Sequence, residues 1–406
     1  MKVILITSGQ PSLNPRLVKE ADALINAGHK VTVIYQYRND WGSKLDQELF
    51  KVKKWSSKLI GGNPLNQKFS YWKSRINHKL GQLFCKSFGF DNNLAEMAIS
   101  RCTLQFIKCA QKIPADLYIA HNLGALPAAI MAAKKNGAKC GFDAEDFHRN
   151  ELSDDPKDFD VRIKTYLENK YLFQLDYLST ASPLISEEYK KLYPNFNVKT
   201  ILNTFPKQVF NLKTFNESVS IKLFWFSQTI GLSRGIEDII WAMGQLSAHN
   251  IELHLLGEHN SSTITYFDGL ACANHLKNAI FYYSPIPESS IFSFAAKFDI
   301  GLATEIGFPK NRDICLTNKI FAYVQSGLAI LASDTKSQVE FLKNFPKMGI
   351  TYTRNNRENL LEAISHLMRL EILNKYKKQA KAYGNDTLNW EFEQQKFLAN
   401  IKQIFS

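Results

Sequence analysis

Short runs of consecutive apolar residues recur along the chain, separated by stretches in which apolar residues return every three or four positions. The first pattern predicts buried strands and the second amphipathic helices. KVILIT (2–7) reads as a strand, and NPRLVKEADALINAGHKV (14–31) as the helix after it. Asn14 is its N-cap, Pro15 takes the first helical position and Gly28 is the stop. Leu17, Ala21, Leu24 and Ile25 share one face, and VTVIY (31–35) is the next strand. LYIA (117–120), the helix ALPAAIMAAKKNG (125–137), AKCGF (138–142), a helix near 160–174, LDYLSTAS (175–182) and VKTILN (198–203) continue the alternation. Such alternation predicts parallel sheet covered on both faces.

The stretch TFPKQVFNLKTFNESVS (204–220) breaks this rhythm and reads as a linker. A second series follows: IKLFWFS, GIEDIIWAMGQL, IELHLLG, NAIFYY, DIGLAT, TNKIFAYVQSGLAILASD and GITY, then helices to the C-terminus. The expected architecture is α/β, with two Rossmann-like domains facing a central cleft at the carboxyl ends of their strands. The boundaries read as 1–203 for the first domain, 204–220 for the linker, 221–388 for the second domain and 389–406 for a last helix.

Composition narrows the class. With 406 residues, 45% hydrophobic and 22% charged, the chain suits two soluble domains, each with its own core. The N-terminal apolar run lacks the length and cleavage site of a signal peptide, and no stretch approaches the roughly 18 apolar residues of a membrane span. Six cysteines without C-x-x-C spacing suit reduced thiols, so the expected location is cytoplasmic. The net charge of +12 is unevenly placed. Between Leu49 and Phe90 there are nine Lys or Arg and no Asp or Glu, whereas the remainder is nearly neutral.

The order of SGQPSLNPRLVKEADALINAGHKVTVIY, DAEDFHRNE, ILNTF, FSQTIGLSRGIEDII, LHLLG and TNKIFAYVQSGLAI resembles that in retaining family 4 glycosyltransferases with the GT-B fold. The resemblance covers nearly the whole chain apart from the basic segment. It implies transfer of a sugar from a nucleotide-sugar donor to a glycan or lipid-linked acceptor with retention at the anomeric carbon. It also implies a reaction without metal or other cofactor, and a last helix that returns to the first domain.

That chemistry needs two answers, one to negative charge on the leaving phosphate and one to positive charge on the sugar. Arg234 precedes a predicted helix start, where its guanidinium and the helix amides would meet one phosphate; the alternative is a solvated turn. Gln228 stands where the family often has a second basic residue. Gly9, in the turn after the first strand, would let backbone approach the donor, although a purely structural turn reads nearly as well, and no G-x-G-x-x-G marks a dinucleotide site. Asp143, Glu145, Asp146, His148 and Glu151 crowd the end of a predicted strand. Glu145, Asp146 and His148 are candidate catalytic groups that orient hydroxyls or offset developing charge; capping with solvated charge is the alternative. His121 follows another strand and would serve the acceptor side; a helix-entry or interdomain hydrogen bond is the alternative.

The family's usual pair of glutamates eight residues apart is missing, because Ile314 and Ala322 occupy those positions. Asn318 and Lys319 match a variant branch with NK at the helix start, and Glu305 or Asp313 is expected to replace the lost ribose contact. In the basic segment Lys51, Lys53, Lys54, Trp55 and Trp72 suggest contact with an anionic membrane surface on its cytoplasmic side; a solvated face is the alternative. No nucleic-acid module surrounds them. Two other functions stay open: a non-catalytic nucleotide-sugar-binding or scaffold subunit, and a GT-B sugar-nucleotide epimerase.

Overall fold

Asn14 begins the first helix as its sequence predicts: the side chain accepts a hydrogen bond from Leu17 N at 3.0 Å, Pro15 occupies the first turn and Gly28 leaves the helix with φ +82°. These details come from a computed structural model, which describes residues 1–209, 220–246 and 250–406. Most of the predicted linker, 210–219, lies outside the described residues.

The described chain divides into two units. The first comprises Met1–Leu202, Pro309–Asn311 and Gln394–Ser406, and the second Asn203–Phe308 and Arg312–Glu393.

The first unit holds a seven-stranded parallel sheet. Its strands are β1 (Lys2–Thr7), β2 (Lys30–Gln36), β3 (Ser56–Ile60), β4 (Leu117–His121), β5 (Lys139–Ala144), β6 (Tyr177–Thr180) and β7 (Val198–Thr200), in the order β3-β2-β1-β4-β5-β6-β7. Every residue of β4 and β6 is buried, which explains why the central strands read as uninterrupted apolar runs. The register places Thr7, His121, Asp143 and Ser179 side by side on neighbouring strands.

The second unit holds a six-stranded parallel sheet in the order β10-β9-β8-β11-β12-β13. These strands are β8 (Ile221–Thr229), β9 (Ile251–Glu258), β10 (Ile280–Tyr283), β11 (Ile300–Ala303), β12 (Ala329–Ser333) and β13 (Gly349–Tyr352). Its core includes Leu223, Trp225, Leu253, Leu255, Leu302 and Leu331. The helix Asn318–Ser326 ends on Gly327 in the left-handed conformation, φ +68°, and delivers the chain to β12. The connections from β1 run outward through β2 and β3 before the chain returns beside β1 as β4; β8 and β11 are related in the same way. Each sheet therefore has one switch point, where the loops leaving two adjacent strands part and leave room for a ligand.

The basic segment, which carries no helix in the sequence reading, contains the edge strand β3 and the helix Lys68–Phe88. Lys58 on β3 places a charge on the sheet edge, a device that discourages further strand pairing.

Candidate active site

In the second unit the loops after β8 and β11 bring together residues distant in sequence. After β8 the chain turns through Ser233, φ +56°, and Gly235, φ +78°, into the helix Ile236–Gln245. Gly235 is required twice over: its backbone is left-handed, and a Cβ there would lie 2.8 Å from Thr304 Cβ. Thr304, at the end of β11, donates its hydroxyl to Arg234 O at 2.6 Å and so locks the two loops. Arg234 is thereby held one residue before the N-cap of the helix. The first-turn acids of that helix have partners of their own, Glu237 accepting from Ser233 N at 2.7 Å and Asp238 meeting Arg357 at 2.8 Å.

Glu305 follows Thr304. Its backbone N donates to Ser333 Oγ at 2.9 Å, and its carboxylate meets Lys319 Nζ at 2.5 Å. Burial would raise the carboxyl, but Lys319, Arg312 and Arg234 together hold it below its ordinary value. One cation thus contacts this largely buried carboxylate directly, and the positive charges of two more, Arg312 and Arg234, act on it from the neighbouring loops. Lys319 Nζ also lies 5.5 Å from the Trp225 ring. Arg312 was missed in the sequence reading; a basic residue shortly after a strand end, PKNRD after DIGLAT, was the available signal.

Asp313 has a different setting. Its Oδ1 accepts from Lys336 N at 3.1 Å and lies 3.5 Å from Arg354, while Oδ2 meets Lys336 Nζ at 3.0 Å. Both oxygens secure the start of the helix Lys336–Asn344. Gln228 is exposed near the end of β8, and Asn318, also exposed, accepts from Asn203 Nδ2 at 3.0 Å. Ala322 and Ile314 are buried, at 1% and 3% exposure.

The switch point of the first unit lies between β1 and β4. Thr7 Oγ1 donates to Asn122 Oδ1 at 2.8 Å and accepts from Gly9 N at 3.1 Å. Nothing in the backbone or the packing demands glycine at position 9, since an added Cβ would make only ordinary contacts.

Beneath this turn lies a buried charge cluster. Arg16, one turn before Glu20 on the first helix, makes a bidentate pair with Asp143 at 2.5 and 2.7 Å and donates to Ile201 O at 2.6 Å. His121 sits between Glu20, at 3.1 Å, and Asp143, at 3.5 Å, and is 1% exposed. Burial lowers its affinity for a proton, but the two carboxylates raise it further, so its pKa is raised. The His121 ring thus bridges a carboxylate of the first helix and one of the neighbouring strand β5. Glu20, His121 and Asp143 have donor atoms within 4.8 Å of one another, as a metal site would, but the Arg16 guanidinium already supplies the cation at their centre.

The acidic stretch after β5 also divides. Asp146 accepts from Asn311 Nδ2 at 2.8 Å, and Asn311 Oδ1 accepts from Phe147 N at 2.7 Å, both within the first unit. His148 is buried, stacks on Phe142 and contacts Glu151 at 3.3 Å through Nδ1. Its Nε2 has no hydrogen-bond partner among the described residues. Glu145 is half-buried, and desolvation followed by the nearby Asp146 charge pushes its carboxyl up to about 7.

Of the basic segment, Trp55 is buried, its indole N–H donating to Asp22 at 3.0 Å, and so cannot reach a membrane. Lys53 pairs with the same Asp22 at 2.6 Å and Lys51 with Glu48 at 2.6 Å; Lys54 and Trp72 are exposed.

No family model and no curated sequence matches the chain. Solved structures do. HepE from Anabaena, in complex with UDP, aligns with a TM-score of 0.68 at 14% identity, over 99% of this chain and 100% of that one. The fold is GT-B. A glycosyltransferase from Rickettsia africae ESF-5 aligns at 0.66 and 14% identity, over 100% and 99% of the two chains. The lipopolysaccharide outer core galactosyltransferase WaaB aligns at 0.65 and 11%, over 99% of each. At such identities the shared property is the GT-B architecture, two Rossmann-like α/β domains with parallel sheets.

Proposed function

We propose that the protein is a retaining glycosyltransferase, moving a sugar from a uridine diphosphate donor to a glycan or lipid-linked acceptor. The observation that carries this reading is the Lys319–Glu305 pair after β11 beside Arg234, which Thr304 holds at the helix start after β8, with the charges of Arg234 and Arg312 acting on the same carboxylate. A nucleoside diphosphate brings the negative charge this site lacks, and UDP is the nucleotide bound by HepE, which shares the fold. Retention is supported by the ordered motifs that resemble family 4.

Cleavage of the anomeric bond leaves charge on the distal phosphate. Arg234, held by Thr304 at the mouth of a helix, stabilises it by a charge-assisted hydrogen bond, with the helix N-terminus adding its partial positive charge. Glu305 accepts a ribose hydroxyl through the carboxylate that Lys319 orients. In the first unit Glu145 serves the acceptor, its carboxyl titrating near neutrality and so able to take up or release a hydroxyl proton. Side-chain cations answer the phosphate charge, so the reaction runs without a divalent ion.

Incubation with UDP-sugars and a membrane glycan extract should release UDP in excess chelator, and NMR of the product should show the donor's anomeric configuration. Arg234→Ala should lower turnover by about 100-fold or more while preserving the fold. Equal turnover in a folded variant would refute the phosphate assignment. Nucleotide binding without transfer would favour a scaffold subunit, and a new sugar nucleotide formed without acceptor an epimerase.

A further inference from the structure

The helix Lys68–Phe88 has its apolar residues on the wrong side for a soluble protein. Its inner face, Tyr71, Ser74, Gly81 and Cys85, is buried and mostly small or polar. Half a turn away, Phe69 is 82% exposed, Trp72 55%, Ile76 56%, Leu80 39%, Leu83 58% and Phe84 37%. At 100° per residue these six fall within about one third of the helix circumference, opposite the buried face. Lys68, Arg75, Lys79 and Lys86 run along one flank of this stripe and Lys73 lies within it near the other edge, all exposed. From Phe69 to Phe84 the stripe runs for about 22 Å along this 21-residue helix.

We infer that this outer face seats the protein on an anionic lipid bilayer, lying in the interface plane. Charge selects the partner. The segment from Leu49 to Phe90 has nine basic residues and no acidic one, so every charge this segment places beside the stripe is positive. A second copy of the same face would oppose like charges, and a nucleic acid would leave the aliphatic centre unmatched. An anionic bilayer satisfies both features, taking Trp72 and the aliphatic residues at the headgroup boundary and the lysines at the lipid phosphates. Among the described residues no helix is long and apolar enough to cross a membrane, so the contact is one of a helix lying on the surface. Of the residues the sequence suggests, Lys51, Lys53, Lys54, Trp55 and Trp72, this face contains Trp72, whereas Lys51, Lys53 and Trp55 are tied to Glu48 and Asp22.

The inference deepens the lipid-linked acceptor in the proposed function, but its test needs neither donor nor acceptor. The whole protein is sedimented with vesicles of phosphatidylglycerol and phosphatidylcholine, or of phosphatidylcholine alone, at low and high salt. Binding is expected to the anionic vesicles and to fall as salt rises, because exposed charges are screened over about 10 Å at 0.1 M. The triple variant Trp72→Ser, Ile76→Ser, Leu83→Ser should bind at least about 10-fold more weakly, since each residue buries apolar surface in the lipid boundary. Replacing Lys68, Arg75, Lys79 and Lys86 by Gln should remove most of the salt dependence, whereas Lys51→Gln with Lys53→Gln should change binding by less than about twofold. Unaltered thermal unfolding of each variant establishes that the fold is kept. Wild-type protein remaining in the supernatant would overturn the inference, as would undiminished binding by the folded triple variant. A wild-type dimer that the triple variant converts to monomer would overturn it in favour of self-association. If vesicle binding succeeds and transfer is absent, the enzyme reading fails alone; if transfer occurs without binding, the membrane inference fails alone.

Discussion

Two carboxylates ten residues or fewer from one another on the chain, Glu305 and Asp313, have separate duties that distances distinguish. Asp313 spends both oxygens on Lys336 and Arg354, whereas Glu305 is contacted by Lys319 through one oxygen at the switch point. Glu305→Gln should therefore weaken UDP binding by roughly 1.5–3 kcal/mol, as for a lost charge-assisted hydrogen bond. Asp313→Asn should leave that affinity nearly unchanged but lower stability by about 1 kcal/mol through the helix start it supports. Calorimetric titration and thermal unfolding of the two variants check both expectations; equal losses of affinity would place Asp313 at the nucleotide as well. Ala322→Glu, which puts an acid where the resembling family carries one, inserts a carboxylate at a position 1% exposed. It should destabilise the second unit, visible as a lower unfolding midpoint, unless bound nucleotide restores it.

Glu145 supplies a pH prediction. Its folded pKa, pushed up to about 7 from an ordinary 4.5 by burial and then by Asp146, means that the folded chain holds this proton more tightly than the unfolded chain. The associated stability is complete below about 4.5 and is lost as pH rises through about 7. Glu151 has the opposite sign: despite burial, His148 and Lys164 hold it down to about 2, so its contribution is lost as pH falls from 4.5 towards 2. Denaturant midpoints across the neutral range should fall more steeply with pH in wild type than in Glu145→Gln. Turnover should follow the same ionisation, and a wild-type pH profile unchanged in Glu145→Gln would remove this residue from the chemistry.

At the scale of elements, the first helix and the strand ends form one unit of construction. Arg16 and Glu20, four residues apart, project from the same side of the helix onto a row that the parallel register has already aligned, His121 beside Asp143 beside Ser179. Ser179 Oγ donates to Asp143 at 2.7 Å, so this carboxylate meets a guanidinium, a hydroxyl and an imidazole without solvent. Removing its charge while Arg16 stays buried should cost about 3–5 kcal/mol. Asp143→Asn is thus expected to unfold the first unit at a distinctly lower temperature and leave UDP binding by the second unit intact. Loss of nucleotide binding with an unchanged unfolding transition would contradict this division of labour.

At the scale of the whole molecule, a thermal-shift panel of nucleoside diphosphates and their sugars tests the donor class without knowledge of the acceptor. A ligand at 100 times its dissociation constant stabilises the state it binds by about 2.7 kcal/mol. UDP and UDP-sugars should raise the unfolding midpoint, and Arg234→Ala should reduce the shift. A guanosine or adenosine series that outperforms uridine would change the donor base while preserving the phosphate site.

The strands and most helices were legible because their signals are local. A period of two or of 3.6, an Asn-Pro start or a glycine stop acts over a few residues, and the chain keeps those preferences wherever neighbours allow. Arg234 was legible for the same reason, as a cation next to a helix start. Arg312 was not, because its approach to Glu305 depends on the path of the β11 loop, and neither were the enclosure of His121 and Trp55. In the basic segment the sequence by itself determined that apolar and charged residues occur together without acids. Only the tertiary structure decided which face of the Lys68–Phe88 helix is covered, since periodicity defines the faces of a helix while the rest of the fold selects the one that meets the core.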